Sequence, residues 1–255
     1  MKSFFKIIAS VLLLMCTLHT ALADQTLRIG IEGEYPPFNK IDQNGNLVGF
    51  DVDIANALCD TMKVKCKFVV QAWNGIIPAL LSNKSDLIIS SLAITDKRKE
   101  SVLFSNPYYI ESAIFVAAKN KPLQPTPEGL KGKVIGVQTA TVYEKMLKEK
   151  FPDVVVRVYP AISDHNLDLV SGRIDAVLGS RMVLNSWLAT ADGKNFEIKG
   201  APSRDPKYLG QGVGIAARKS DTDLINRVNL ALVAIHKNGQ FDAISKKYFN
   251  FDITN

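Results

Sequence analysis

The sequence predicts an α/β protein folded as two lobes, and three observations lead to that prediction. From residue 26 to residue 98, short apolar runs alternate with amphipathic stretches as strand, helix, strand, helix, strand, helix, the pattern of a mostly parallel sheet flanked by helices. A second series of the same kind starts at Lys133. Two long extended runs, Ala113 to Lys119 and Tyr208 to Arg218, bracket that second series. The chain is therefore expected to leave one lobe, build another and return, with residues 24–112 and 212–255 in the first lobe and 113–211 in the second. Ligands of open α/β sheets collect at the carboxyl ends of strands, so the strand-end loops of both lobes should face a shared cleft.

The chain opens with Lys2 and Lys6, an apolar run from Ile7 to Leu14, and Ala21-Leu-Ala23. This is a charged head, a hydrophobic stretch and a small-residue cleavage site, so residues 1–23 read as a signal peptide cut before Asp24. Cys16 raises the alternative of a lipid anchor, but Met15 is a poor fit for the small residue expected before a lipidated cysteine. Export places the mature chain in an oxidising compartment. Its charge is mild, +6 for the whole chain and +4 once Lys2 and Lys6 are gone. Lys and Arg are scattered rather than clustered with aromatics, which argues against a nucleic-acid footprint. Two cysteines remain, Cys59 and Cys66, and a lone close pair in such a compartment most simply forms a disulfide. A zinc site would need more ligands, and His165 and His236 stand far away in sequence, so no metal is expected.

In the first lobe, Thr26 to Ile31 alternates as a strand and is broken by Gly33 and Pro36-Pro37, leaving Glu32 and Tyr35 on a strand-end loop. Asn44-Gly45 marks a turn. Phe50, Ile54 and Leu58 then recur at helical spacing. Val64 to Val70 is the second strand, followed by Trp73 on a loop and a helix bearing Ile76, Ile77, Leu80 and Leu81. Leu87 to Ile89 is a buried strand ending in the hydroxyls Ser90 and Ser91; Thr95 offers a helix cap, and Arg98 follows three residues on. Hydroxyl donors beside a guanidinium, whose planar fork grips two oxygens, make a carboxylate receptor.

In the second lobe, the strand Lys133 to Val137 leads into Gln138-Thr-Ala-Thr141 and a helix with Val142, Met146 and Leu147; small hydroxyl residues entering a helix favour an anion. Val154 to Tyr159 is a strand, Leu167 to Gly172 a helix closed by glycine, and Ile174 to Leu178 a strand ending at Ser180. The next helix runs through Val183, Leu184, Trp187 and Leu188. Glycines 210, 212 and 214 lie within an extended run rather than before a helix, so they mark a close backbone crossing and not a dinucleotide loop. Leu224, Val228, Leu232 and Ile235 form the stripe of a long helix, and Phe241, Ile244 and Tyr248 that of a shorter one after Gly239.

Several of these segments together resemble the polar amino-acid class of periplasmic solute-binding proteins, closest to the lysine/arginine/ornithine and arginine binders of bacterial ABC importers. The likeness spans the mature chain and rests on Tyr35-Pro-Pro-Phe38, Gly49-Phe-Asp-Val-Asp53, Ile89 to Arg98, Phe104-Ser-Asn-Pro-Tyr108, Leu130-Lys-Gly-Lys133, Gly172-Arg-Ile-Asp-Ala176 and Tyr208-Leu-Gly210. The resemblance implies a hinge-closing two-lobed receptor that hands a small amino acid to an inner-membrane ABC permease, a monomer without cofactor. It gives Arg98 the ligand's α-carboxylate, with Ser91 and Thr141 as donors, and sets Ser90 and Ala93 at the α-amino end. Tyr35 and Trp73 become the aromatic walls, Glu32 the acid that meets the distal cation, and Gln138 and Tyr143 positions that vary with substrate. The Cys59/Cys66 pair matches a disulfide of the cationic amino-acid binders.

Two departures stand out. Most members carry an aspartate, paired with the α-ammonium, where this chain has Ser180, and Ala93 lacks the polar side chain often found there. The resemblance also admits an enzyme, since some dehydratases acting on prephenate or arogenate are similar to these binders. Such an enzyme needs a general acid of raised pKa, and Glu32 is the candidate. No nucleophile elbow or histidine-paired nucleophile is evident, and the expectation is a non-enzymatic binder of a basic L-amino acid, arginine first, then lysine or ornithine.

Overall fold

The computed structural model describes residues 26–254. The signal peptide read at 1–23, with Cys16, lies outside the described residues. Two five-stranded sheets organise the chain. The first takes β1 (Thr26–Ile31), then, beyond a small antiparallel flap of β2 (Glu34–Tyr35), β3 (Asn39–Ile41) and β4 (Leu47–Val48), the strands β5 (Lys65–Val70), β6 (Leu87–Ile88) and β7 (Val102–Phe104). The second holds β8 (Ala113–Ala118), β9 (Val134–Gln138), β10 (Val155–Tyr159), β11 (Ala176–Ser180) and β12 (Phe196–Ser203); β13 (Ala216–Arg218) returns to the first. The strand orders are β5-β1-β6-β13-β7 and β10-β9-β11-β8-β12. In the first sheet β1 runs parallel to β5 and β6, with β13 antiparallel to β6 and β7; in the second β9 runs parallel to β10 and β11, with β8 antiparallel to β11 and β12.

The helices cover these sheets as their apolar spacing dictates. In α1 (Phe50–Met62) the i, i+4, i+8 residues Phe50, Ile54 and Leu58 are buried against the first sheet. Gly49 before it has φ +138, and a Cβ there would lie 2.3 Å from the Phe38 carbonyl oxygen, so only glycine fits. A disulfide from Cys59 in the last turn of α1 to Cys66 in β5 ties helix to strand. Closing so short a loop should contribute about 2 kcal/mol by restricting the unfolded chain. Converting both cysteines to alanine is therefore expected to lower the urea midpoint while leaving ligand affinity intact.

After α2 (Ile76–Leu81), the one-turn α3 (Asp96–Lys99) and α4 (Pro127–Leu130), the second sheet carries α5 (Val142–Lys150), α6 (Ile162–Val170) and α7 (Arg181–Leu188). Helix α6 starts five residues before the expected Leu167, because its first turns bury Ile162 and His165 rather than presenting a regular apolar stripe. The expected extended run from Tyr208 is also corrected. Tyr208 and Leu209 belong to a short helix, α8 (Pro206–Leu209), with proline at its start and the Asp205 carboxylate accepting from the Lys207 N–H. Regular pairing resumes only at Val213, which bridges Ala93 and Tyr109, and then in β13. Gly210, at φ +71, ends α8 where a Cβ would strike the Ile94 carbonyl oxygen at 1.9 Å, which is the close crossing read from the glycines. Last come α9 (Thr222–Lys237), burying Val228, Leu232 and Ile235 beside α1, and α10 (Gln240–Tyr248). The edge strand β12 was not expected: Phe196 to Ser203 contains Gly200 and Pro202 and shows no alternation.

Candidate functional site

The carboxyl end of β1 delivers Glu32, whose backbone N–H donates to the Ser90 hydroxyl oxygen at the end of β6 (3.0 Å). The loop carrying Glu32 and Tyr35 is held by a buried polar chain. The Gly33 N–H donates to Asn39 Oδ1 (2.8 Å), and Asn39 Nδ2 donates to Asp51 Oδ2 (2.8 Å). Asp51 also accepts from the Ser91 hydroxyl (2.9 Å) and the Tyr108 hydroxyl (3.1 Å). This fully buried acid at the start of α1 thus fixes three site-bearing segments at once, and burial pushes it up to about 6.

Arg98 lies on α3, where Thr95 caps the helix by accepting from the Arg98 N–H. Its guanidinium sits 5.5 Å over the Trp73 ring and donates to the carbonyl oxygens of Ala93 (3.0 Å) and Ala140 (3.3 Å). Burial lowers its pKa to about 10, and the influences opposing that are the phenols of Tyr143 and Tyr35. No carboxylate pairs with it among the described residues.

The second sheet closes over these groups. Gln138, the last residue of β9, donates from Nε2 to Glu32 Oε1 (2.5 Å) and to the Pro160 carbonyl oxygen (3.2 Å). Thr141 caps α5, accepting from the Glu144 N–H and donating to the Gln138 carbonyl oxygen (2.7 Å). The phenols of Tyr143 and Tyr35 both line the gap between the sheets. Ser180 ends β11 and donates from its hydroxyl to Glu111 Oε2 (2.7 Å).

Between the sheets lies a narrow cavity of about 20 Å³. Its wall includes Glu32, Tyr35, Trp73, Ser91, Ala93, Arg98, Gln138, Thr141 and Tyr143. Ser90 and Ser180 stand behind that wall, each bonded to a residue that reaches it. Glu111 lines the cavity and sequence reasoning missed it. It lies in the segment joining β7 to β8, and the β8–β11 register, which sets Ser180 opposite Ala113, brings it to Ser180. The available signal was a single charge in the otherwise uncharged stretch 107–118.

Burial raises both cavity carboxyls, Glu32 to about 7 despite the bond from Gln138, and Glu111 to about 7 despite the bond from Ser180. A carboxyl whose pKa rises on folding stabilises the fold most below its unfolded value, and that contribution is lost as pH climbs through the folded value. With Glu32, Glu111 and Asp51 all raised, the melting temperature of ligand-free protein is expected to fall between about pH 4.5 and pH 7. Calorimetry across that range checks this; a rising melting temperature would mean that the three are ionised throughout.

A family model of bacterial extracellular solute-binding proteins, family 3, matches residues 27–251. The chain belongs to that family. It is 42% identical over 250 residues to an L-arginine-binding protein of Pseudomonas aeruginosa, covering 97% of this chain and 96% of that one. It is 38% identical over 237 residues to the lysine/arginine/ornithine-binding periplasmic protein of Escherichia coli, covering 91% of each. Among solved structures, a Salmonella typhimurium periplasmic binding protein described for its high arginine specificity aligns with a TM-score of 0.83 and 32% identity, over 89% of this chain and all of that one. These relatives bear the names of binding proteins, not of dehydratases. Within this family 3 fold, the two sheets and the cavity between them are the two-lobed architecture expected from the sequence.

Proposed function

We propose that this protein is a periplasmic receptor for a basic L-amino acid, arginine first and then lysine or ornithine, that presents its ligand as a monomer to an inner-membrane ABC permease. One observation supports this most. Among the described residues, one cavity holds a guanidinium with no carboxylate partner, Arg98, and a buried carboxyl with no cationic partner, Glu32, beside the rings of Tyr35 and Trp73. A buried charge is costly unless an opposite charge meets it, so the cavity is complementary to a molecule with a carboxylate at one place and a cation at another. The aromatic walls add attraction for the cation and cover the aliphatic stem. The names of the relatives agree with this chemistry.

In this reading residues 24–112 with 212–255 move against residues 113–211 about the two crossings. Arg98, Glu32 and Trp73 come from the first body and Gln138, Thr141 and Tyr143 from the second, so a ligand touching both stabilises closure by contacts absent from the open form. The bonds from Gln138 to Glu32 and from Arg98 to the Ala140 carbonyl oxygen already span the two.

The test is thermal unfolding of refolded, ligand-stripped protein against the twenty amino acids, ornithine, citrulline, histamine and prephenate. A ligand at 100 times its Kd adds about 2.7 kcal/mol, several degrees for a chain of this size. Shifts confined to arginine, lysine and ornithine support the receptor. A shift with prephenate alone would overturn the receptor reading and call for a dehydratase assay, with Glu32 as the candidate general acid.

A further inference from the structure

We propose that Glu111 is the carboxylate that receives the ligand's α-ammonium group, delivered from the crossing between the lobes, with Ser180 as the hydroxyl that orients it. This rests on the basic amino-acid reading above and adds the group that reading lacks.

The chemistry of the cavity calls for a second anion. A basic L-amino acid brings one negative and two positive charges. Arg98 answers the carboxylate and Glu32 answers one cation, which leaves an ammonium to be desolvated against neutral groups. Glu111 removes that deficit, because the cavity then presents two carboxylates and one guanidinium, the charge complement of the ligand.

The geometry around Glu111 is that of a held acceptor. It is buried to 6% exposure, yet it lines the cavity. Its Oε2 accepts from the Ser180 hydroxyl (2.7 Å) and its Oε1 from the Ser112 N–H (2.8 Å), which fixes the carboxylate plane and leaves lone pairs for a ligand. The groups facing it are the phenols of Tyr35, Tyr143 and Tyr109 and, from the start of α7, Arg181. The Arg181 guanidinium packs over the Phe251 ring (5.6 Å); its charge favours the ionised form of Glu111, but among the described residues no ion pair joins the two, so the acid keeps lone pairs open to a ligand.

Ser180 stands where the resemblance expects an aspartate. A serine there is too short to carry the charge itself, but its hydroxyl points a longer acid from the neighbouring crossing. That placement has a mechanical consequence. Tyr109 pairs with Val213 where the two crossings run side by side, and Glu111 lies two residues beyond, so an ammonium bound there engages the moving segment itself.

Calorimetric titration of L-arginine and its des-amino analogue 5-guanidinopentanoate into wild type, Glu111→Gln and the double variant Glu111→Ala/Ser180→Asp tests this. Wild type should prefer arginine. Glu111→Gln should lose about 100-fold for arginine, the range for breaking a buried charge pair, and little for the analogue. The double variant, which moves the carboxylate back to β11, should regain most of the preference. Should Glu111→Gln fail to fold, Glu111→Ala decides alone: loss of the preference for arginine supports the proposal, and an undiminished preference overturns it. Wild-type affinity for arginine in Glu111→Gln would overturn the role of Glu111 and leave the receptor reading standing. If wild type binds no basic amino acid at all, the receptor reading falls and this proposal falls with it.

Discussion

Replacing Arg98 by alanine is expected to weaken binding of L-arginine by at least about 30-fold, because truncating one partner of a buried hydrogen-bonded charge pair costs about 2–5 kcal/mol. The loss is larger than for an exposed ion pair for two reasons visible in the site. The guanidinium is desolvated over Trp73, so the ligand's carboxylate meets it without competing water. Without it, the carboxylate would face a cavity whose remaining charged groups, Glu32 and Glu111, are both acids. Arg98→Lys is expected to fall between, since a point charge replaces a planar fork. Isothermal titration reads all three proteins. An alanine variant that binds as tightly as wild type would place the carboxylate elsewhere in the cavity.

Glu32→Gln is expected to weaken arginine, lysine and ornithine by about 100-fold while leaving citrulline and glutamine unchanged, so that selectivity for basic side chains collapses. The substitution keeps shape and a bond to Gln138, and removes only the charge. A second effect accompanies it. Burial disfavours the ionised acid, so the ligand-free variant should melt at a higher temperature than wild type above about pH 7, with the difference vanishing at low pH where Glu32 is protonated. If basic ligands bind the variant as well as wild type, Glu32 does not meet the distal cation, and its buried carboxyl serves another purpose.

Much of the site was legible because its residues occupy positions that local rules mark. Glu32, Ser90, Ser91, Gln138 and Ser180 each stand where an apolar strand run stops, and Thr95 and Thr141 cap helices that begin there. Strand ends and caps are written in a few consecutive residues, so alternation and helix-start chemistry suffice to find them. The short helix α8 escaped the same rules because its single turn depends on Pro206 and the Asp205 cap within a glycine-rich stretch that otherwise looks extended. Strand β12 escaped them because an edge strand interrupted by Gly200 and Pro202 has no period to read.

The amino-acid order alone carries the α/β alternation, the return of the chain to its first sheet, the cysteine pair and a guanidinium just past the Thr95 helix cap. Each of these is encoded in spacing within one element or in the composition of one turn. Only the folded chain brings Gln138 to Glu32 across 106 residues and Ser180 to Glu111 across 69. Those bonds depend on the pairing of β8 with β11 and on the approach of one sheet to the other, and neither is written in any local period. Register is set by how buried faces of distant strands fit together, and a shift of one residue would turn Ser180 away from the cavity side.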